Sequence, residues 1–230
     1  MPLPSNPLKA TFPLLGVING ESFYFVGTGF FIDEDGSFLT AKHVFLDLTV
    51  TYAVAMINGR DVTTYPISEI QVSDRHDIAF GKAKDIKGVQ PLKLADKDAP
   101  INLDIITTEY SGTSVRRRVD GLNEIVFNPY YRKGNVVSSY LSTFPEKEET
   151  LSLELSFPAL KGASGAPVIV EQSGLVIGMI LGNIQRELLP SQIDTVVEEG
   201  KYTEEIKYMM PSAKAINWKH IADFLQSIRH

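Results

Sequence analysis

The chain contains no cysteine. This excludes a disulfide framework, a thiolate metal site and a cysteine nucleophile. Long apolar runs are missing too, because no stretch reaches the roughly 18 residues of a membrane-spanning helix. Phe12 to Ile18 is apolar but short and holds Pro13, so it reads as a first β-strand. Met1 to Ala10 carries three prolines and one lysine and lacks the basic start and apolar stretch of a secretion signal. These absences point to a cytoplasmic protein with no membrane partner. Positive charge is not in excess: 22 Lys and Arg face 28 Asp and Glu, for a net charge of −6, which argues against nucleic acid as a partner. No histidine pair at i, i+4 stands near a carboxylate, so neither a metalloprotease site nor any cofactor is expected. Internal repeats and low-complexity stretches are absent as well.

What is present suits a globular core. The chain has 230 residues, of which 43% are hydrophobic and 22% charged. Short β-rich runs alternate with turn signals, which predicts a barrel or sandwich. Asp35-Gly36, Asn58-Gly59 and Ser173-Gly174 each separate two such runs. Ala95 to Asp104 is polar and proline-bearing and reads as a connection between two halves. Two stretches look irregular: Thr107 to Leu122, with Arg116-Arg117-Arg118 in a solvated loop, and Ile184 to Tyr208, which has room for a short helix. Ile221, Phe224, Leu225 and Ile228 recur at helical spacing after Asn217, a candidate N-cap. A C-terminal amphipathic helix packed on the body is predicted.

Three short stretches carry chemistry. Leu39-Thr40-Ala41-Lys42-His43 ends an apolar strand, His76-Asp77-Ile78-Ala79-Phe80 opens another, and Gly162-Ala163-Ser164-Gly165-Ala166-Pro167 is a small-residue turn before a third. A serine nucleophile needs a tight turn and backbone N–H groups that converge on a developing oxyanion. Gly162 permits such a turn, and the N–H groups of Gly162 and Ser164 are the candidate donors. Serine also needs a base, for which histidine is suited, and the imidazole needs a carboxylate to hold its tautomer. His43, Asp77 and Ser164 supply one of each. Singly, each has a plain structural reading; jointly, in that order, they point to nucleophilic catalysis. Asp74 is the backup acid. Strand alternation turns His76 outward, opposite to Asp77. His220 falls on the polar side of the C-terminal helix, and His230 is terminal. An α/β-hydrolase is excluded by Ala166, where that motif needs glycine, and by the order His, Asp, Ser.

These residues, together with Gly27-Thr28-Gly29-Phe30-Phe31-Ile32, Pro91-Leu92-Lys93-Leu94-Ala95-Asp96, Gly134-Asn135-Val136-Val137-Ser138 and Gly174-Leu175-Val176-Ile177-Gly178, resemble the trypsin/chymotrypsin-like serine proteases. The pattern is most similar to the HtrA/Deg-type branch and related bacterial trypsin-like peptidases, and it runs over most of residues 15–183. The resemblance implies an all-β fold of two antiparallel six-stranded barrels with the site in the cleft between them. The expected division is a barrel over 1–98 carrying His43 and Asp77, a barrel over 99–213 carrying Ser164, and a helix over 214–230. His43 would be the base, Asp77 its orienter and Ser164 the nucleophile.

The departures also inform. Ala163 stands where secreted members have an aspartate that pairs with a freshly cut N-terminus, so that activation route is closed. No PDZ-like domain is expected after the helix. The resemblance places the substrate pocket near Pro158, Ala159 and Leu160, with the strand Met179 to Asn183, and Ile180, Leu181 and Gly182 in it, as a wall. None is acidic, so a small or medium apolar residue is expected before the scissile bond of a protein or peptide substrate. The two irregular stretches allow a latent enzyme that an activating protein partner switches on. They also allow a catalytically inactive, protease-like binding module.

Overall fold

The computed structural model describes residues 7–18, 22–46, 50–117, 123–143, 149–187, 191–197, 200–206 and 209–228. Six strands form the first barrel: β1 (Thr11–Ile18), β2 (Ser22–Phe31), β3 (Ser37–Thr40), β4 (Thr51–Asn58), β5 (Asp61–Val72) and β6 (Ala79–Ala83). They close antiparallel in the order β1-β2-β3-β6-β5-β4. Then come β7 (Asp104–Glu109), the hairpin of β8 (Ser114–Arg117) and β9 (Asn123–Val126), β10 (Tyr130–Ser142), β11 (Thr150–Leu155), β12 (Pro167–Val170) and β13 (Val176–Glu187). A hairpin of β14 (Ser191–Val197) and β15 (Gly200–Ile206) precedes β16 (Met209–Asn217) and the helix α1 (Trp218–Ile228). The second barrel closes in the order β10-β11-β16-β13-β12-β7.

Aromatic packing fills the first barrel. Phe12, Phe30, Phe31 and Phe38 have no exposed surface. The Phe12 ring lies 4.3 Å from that of Phe31 and meets Phe38 edge-on at 5.2 Å. Pro13 is tolerated inside β1 because it faces Thr28, whose N–H and C=O bond elsewhere, so no ladder bond is lost there. Leu153, Leu155, Val136, Val168 and Ile180 fill the second core.

The β2–β3 turn is closed at Gly36, whose φ of +89° suits glycine. Asp35 accepts Ser37 N–H at 2.9 Å and the Lys82 ammonium at 2.5 Å. The Lys82 contact first, then Ser37, brings the Asp35 carboxyl down to about 2. A lowered folded-state pKa contributes stability above the ordinary carboxyl range, near 4, and loses it as pH falls toward 2. The effect is small because both side chains are largely exposed. Asp35→Asn is therefore expected to lower Tm slightly at pH 6, with the difference vanishing near pH 2 in a pH series of thermal melts.

The helix begins at Trp218, so residues 214–217, expected within the helix, belong instead to β16. Asn217 caps it by accepting Lys219 N–H at 3.0 Å. Ile221, Phe224 and Leu225 are buried against the first core, each side chain worth about 1.5–3 kcal/mol. The short helix allowed within Ile184 to Tyr208 is absent among the described residues; β13 runs on and β14 and β15 pair as a ribbon. Thr107 to Leu122 likewise holds strand, with β8 and β9 paired from Ser114↔Val126 to Arg117↔Asn123. Arg118 and His230 lie outside the described residues.

Candidate active site

His43 sits in a single 3-10 turn directly after β3, and Asp77 lies on the approach to β6. Both Asp77 oxygens serve His43: Oδ2 lies 2.6 Å from Nδ1, and Oδ1 accepts the His43 backbone N–H at 2.9 Å. The second contact fixes the carboxylate to the backbone that carries the imidazole, so the pair moves as a unit. Asp74, the alternative acid, is exposed and makes no bond to His43. With Nδ1 engaged, Nε2 is the ring nitrogen left for chemistry.

Ser164 sits on a turn gripped from both barrels. Ala163 N–H bonds Leu160 O at 2.9 Å, Gly165 N–H bonds Ile180 O at 2.8 Å, and Ala166 N–H bonds Ala163 O at 3.0 Å. The N–H groups of Gly162 and Ser164, flanking Ala163, have no hydrogen-bond acceptor among the described residues. Gly162 has φ +98°, and a Cβ there would lie 2.4 Å from the Phe25 ring. Gly165 has φ +86°, and a Cβ there would lie 2.1 Å from Thr28 O. Only glycine fits either place. The Ser164 hydroxyl donates to Leu181 O at 3.4 Å, a long bond, and no hydrogen bond joins Ser164 to His43.

The expected pocket residues divide. Leu160 is exposed, Pro158 half-buried, and Leu181 offers its carbonyl to Ser164. Around a Cβ placed on Gly182 there is open space. Ile180 departs from expectation: its side chain has no exposed surface and belongs to the second core, while its N–H and C=O hold Ala166 and Gly165. It supports the serine turn through its backbone. Asn183, at the end of the expected wall, plays a bracing part: its Nδ2 donates to Ala159 O at 2.6 Å and its Oδ1 accepts Ala159 N–H at 2.7 Å. This clasp ties the 158–160 segment to β13.

His76 also departs from expectation. It is half-buried against the second barrel, with Nδ1 3.0 Å from Thr150 Oγ1 and its ring 4.2 Å from that of His220. His220 Nε2 accepts Leu151 N–H at 2.8 Å. His76 lies in a bend before β6, where strand alternation does not set the side chain's direction, and β11 and α1 pack against it.

A serine turn, a carboxylate-held histidine and two facing barrels define a class. A family model for the trypsin-like peptidase domain matches residues 27–179. The chain belongs to the trypsin-like peptidase domain family, a class of serine proteases. Among solved structures, the inactive form of a serine-to-alanine mutant of Rv3671c from M. tuberculosis H37Rv is similar at 15% identity and TM-score 0.64, over 99% of this chain and 90% of that one. The MamO protease domain from Magnetospirillum magneticum, apo form, is similar at 15% identity and TM-score 0.61, over 95% of this chain and 96% of that one. The HtrA-type protease AlgW with a decapeptide is similar at 15% identity and TM-score 0.62, over 99% of this chain and 66% of that one. No curated protein matches the chain in sequence.

Proposed function

We propose that the protein is an endopeptidase that cleaves peptide bonds through an acyl-enzyme. Ser164 Oγ attacks the scissile carbonyl carbon as its proton passes to His43 Nε2. The negative charge that develops on the carbonyl oxygen is met by the N–H groups of Gly162 and Ser164. The C–N bond then breaks, and His43 returns the proton to the leaving amine. Water, deprotonated by the same nitrogen, attacks the acyl carbon; the C–Oγ bond breaks, and the proton on Nε2 passes to Ser164 Oγ. Asp77 keeps His43 in the tautomer that leaves Nε2 unprotonated. The observation that carries this reading is the pair of hydrogen bonds between Asp77 and His43, Oδ2 to Nδ1 at 2.6 Å and Oδ1 to the backbone N–H at 2.9 Å. A carboxylate committed twice to one histidine orients a base.

The Ser164 hydroxyl rests on Leu181 O, so it must turn toward His43 for reaction. This favours a resting enzyme that substrate, or a protein partner, brings into register. The test is labelling of the folded protein with a fluorophosphonate, which needs an assembled base and oxyanion site. Labelling that disappears in Ser164→Ala supports the reading. Folded protein that resists the probe overturns an active enzyme in favour of a latent or non-catalytic one.

The pocket reading follows from the clasp. Asn183 and Ala159 brace the two walls, and no acid is placed on either, which supports a small or medium apolar residue before the cleaved bond. Asn183→Gly removes two hydrogen bonds of about 0.5–1.5 kcal/mol each. It should lower kcat/KM for such peptides about tenfold and broaden acceptance of larger residues in a peptide-library profile.

A further inference from the structure

Thr28, on β2 of the first barrel, has no exposed surface and spends each of its polar atoms around the serine turn. Its backbone N–H donates to Ser164 O at 3.0 Å. Its hydroxyl donates to Gly162 O at 2.7 Å and accepts Tyr110 N–H at 3.2 Å. Its carbonyl accepts the buried Thr40 hydroxyl at 2.8 Å. Two residues of the turn are thus anchored through their carbonyls from the opposite barrel, on either side of Ala163. Within the 162–167 turn they are the two residues whose N–H groups have no partner among the described residues.

A peptide group is planar, so fixing the Gly162 carbonyl fixes the plane of the Gly162–Ala163 bond. The other end of that plane is held by Ala163 N–H on Leu160 O at 2.9 Å. With both ends of this plane held and φ of Gly162 at +98°, the direction of the Gly162 N–H is largely determined. Ala163 has no side-chain polar atom that could perform the same task. The Thr28 hydroxyl has one proton, and the Tyr110 N–H occupies one of its lone pairs, which directs that proton to Gly162.

We propose that Thr28 is the positioning residue of the oxyanion site, holding the serine turn in its anion-accepting form from across the barrel interface without any charged partner. This rests on the reading of Gly162 and Ser164 as the oxyanion donors. The experiment compares the wild-type chain with Thr28→Val, which keeps the branched shape without the hydroxyl, and Thr28→Ser, which keeps the hydroxyl. The rate of labelling by a fluorophosphonate is followed across pH, with thermal melts alongside. Thr28→Val is expected to label about 10- to 100-fold more slowly per folded molecule, somewhat less than the loss of a whole oxyanion donor. The pH midpoint should not move, because the His43–Asp77 pair is untouched, and Thr28→Ser should return the rate close to wild type.

A folded Thr28→Val that labels at the wild-type rate overturns the proposal. So does a Thr28→Ser as slow as Thr28→Val, or a loss that appears only as a lower Tm. If Thr28→Val does not fold, Thr28→Ala takes its place with the same two outcomes. A wild-type chain that does not label removes the oxyanion reading itself and the proposal with it. Labelling of wild type with unaffected variants removes the proposal alone.

Discussion

Asp77→Asn is expected to slow fluorophosphonate labelling and peptide turnover on the order of 10⁴-fold near neutral pH, with little change in Tm. Asparagine has the shape of aspartate, and its carbonyl oxygen can still accept the His43 backbone N–H that now reaches Oδ1 at 2.9 Å. Its other atom then becomes an NH2 group facing Nδ1, where Oδ2 now lies at 2.6 Å. A donor there requires Nδ1 to be the acceptor, which puts the imidazole proton on Nε2. A protonated Nε2 cannot receive the Ser164 proton. The loss is thus a tautomer effect, separable from folding by a melt and by retention of noncovalent substrate binding. Ser164→Ala should be at least as severe, and the double variant no worse than Ser164→Ala alone, because the residues act as one unit. An Asp77→Asn protein within tenfold of wild type would mean that some other group orients His43.

Much of this site was legible in the sequence because each component has a local signature. His43 follows an apolar strand, Asp77 precedes one, and glycines stand at 162 and 165, where the backbone enters the left-handed region. The two barrels follow from turn signals such as Asp35-Gly36 and from the family pattern, and both close with six strands. What the sequence concealed lies between distant segments. Thr28 reads as one more β-strand threonine inside Gly-Thr-Gly, and nothing nearby announces that its hydroxyl meets Gly162, 134 residues away. Asn183 bonds Ala159 across 24 residues, and Ile180 turns into the core where a pocket wall was expected. His76 differs from the expectation because it sits in a bend before β6, where strand periodicity does not apply, and meets Thr150 and His220 from distant segments. The Ile184 to Tyr208 segment was read as loop with room for helix because its charges break the alternation of a half-buried strand. Its first residues continue β13 of the second barrel, and β14 and β15 pair with each other as a ribbon outside the closed barrels.

Arg132→Met is expected to destabilise the fold by about 3–5 kcal/mol at pH 8, the usual consequence of stranding a buried charge. Glu109 closes β7 with no exposed surface, and its Oε1 takes the Nε–H of Arg132 on β10. Its Oε2 has no hydrogen-bond partner among the described residues. Burial pushes the Glu109 carboxyl above its ordinary range even though Arg132 opposes that shift. Removing the guanidinium raises it further. A raised folded-state pKa means that the folded chain binds more protons than the unfolded one between the two values, so stability falls as pH rises through that window. The deficit of Arg132→Met should therefore be largest at pH 8 and shrink on acidification, as Glu109 becomes neutral and needs no cation. Glu109→Gln combined with Arg132→Met should recover part of the loss at pH 8, and a deficit independent of pH would place its origin in packing against Tyr130, whose ring lies 5.3 Å from the guanidinium. The next residue, Tyr110, gives its N–H to Thr28 at 3.2 Å, and Thr28 holds Gly162. The ion pair thus secures the strand end on which the serine turn is braced. Labelling of Ser164 in Arg132→Met should fall before global unfolding is reached on heating, because the brace loosens from its far end.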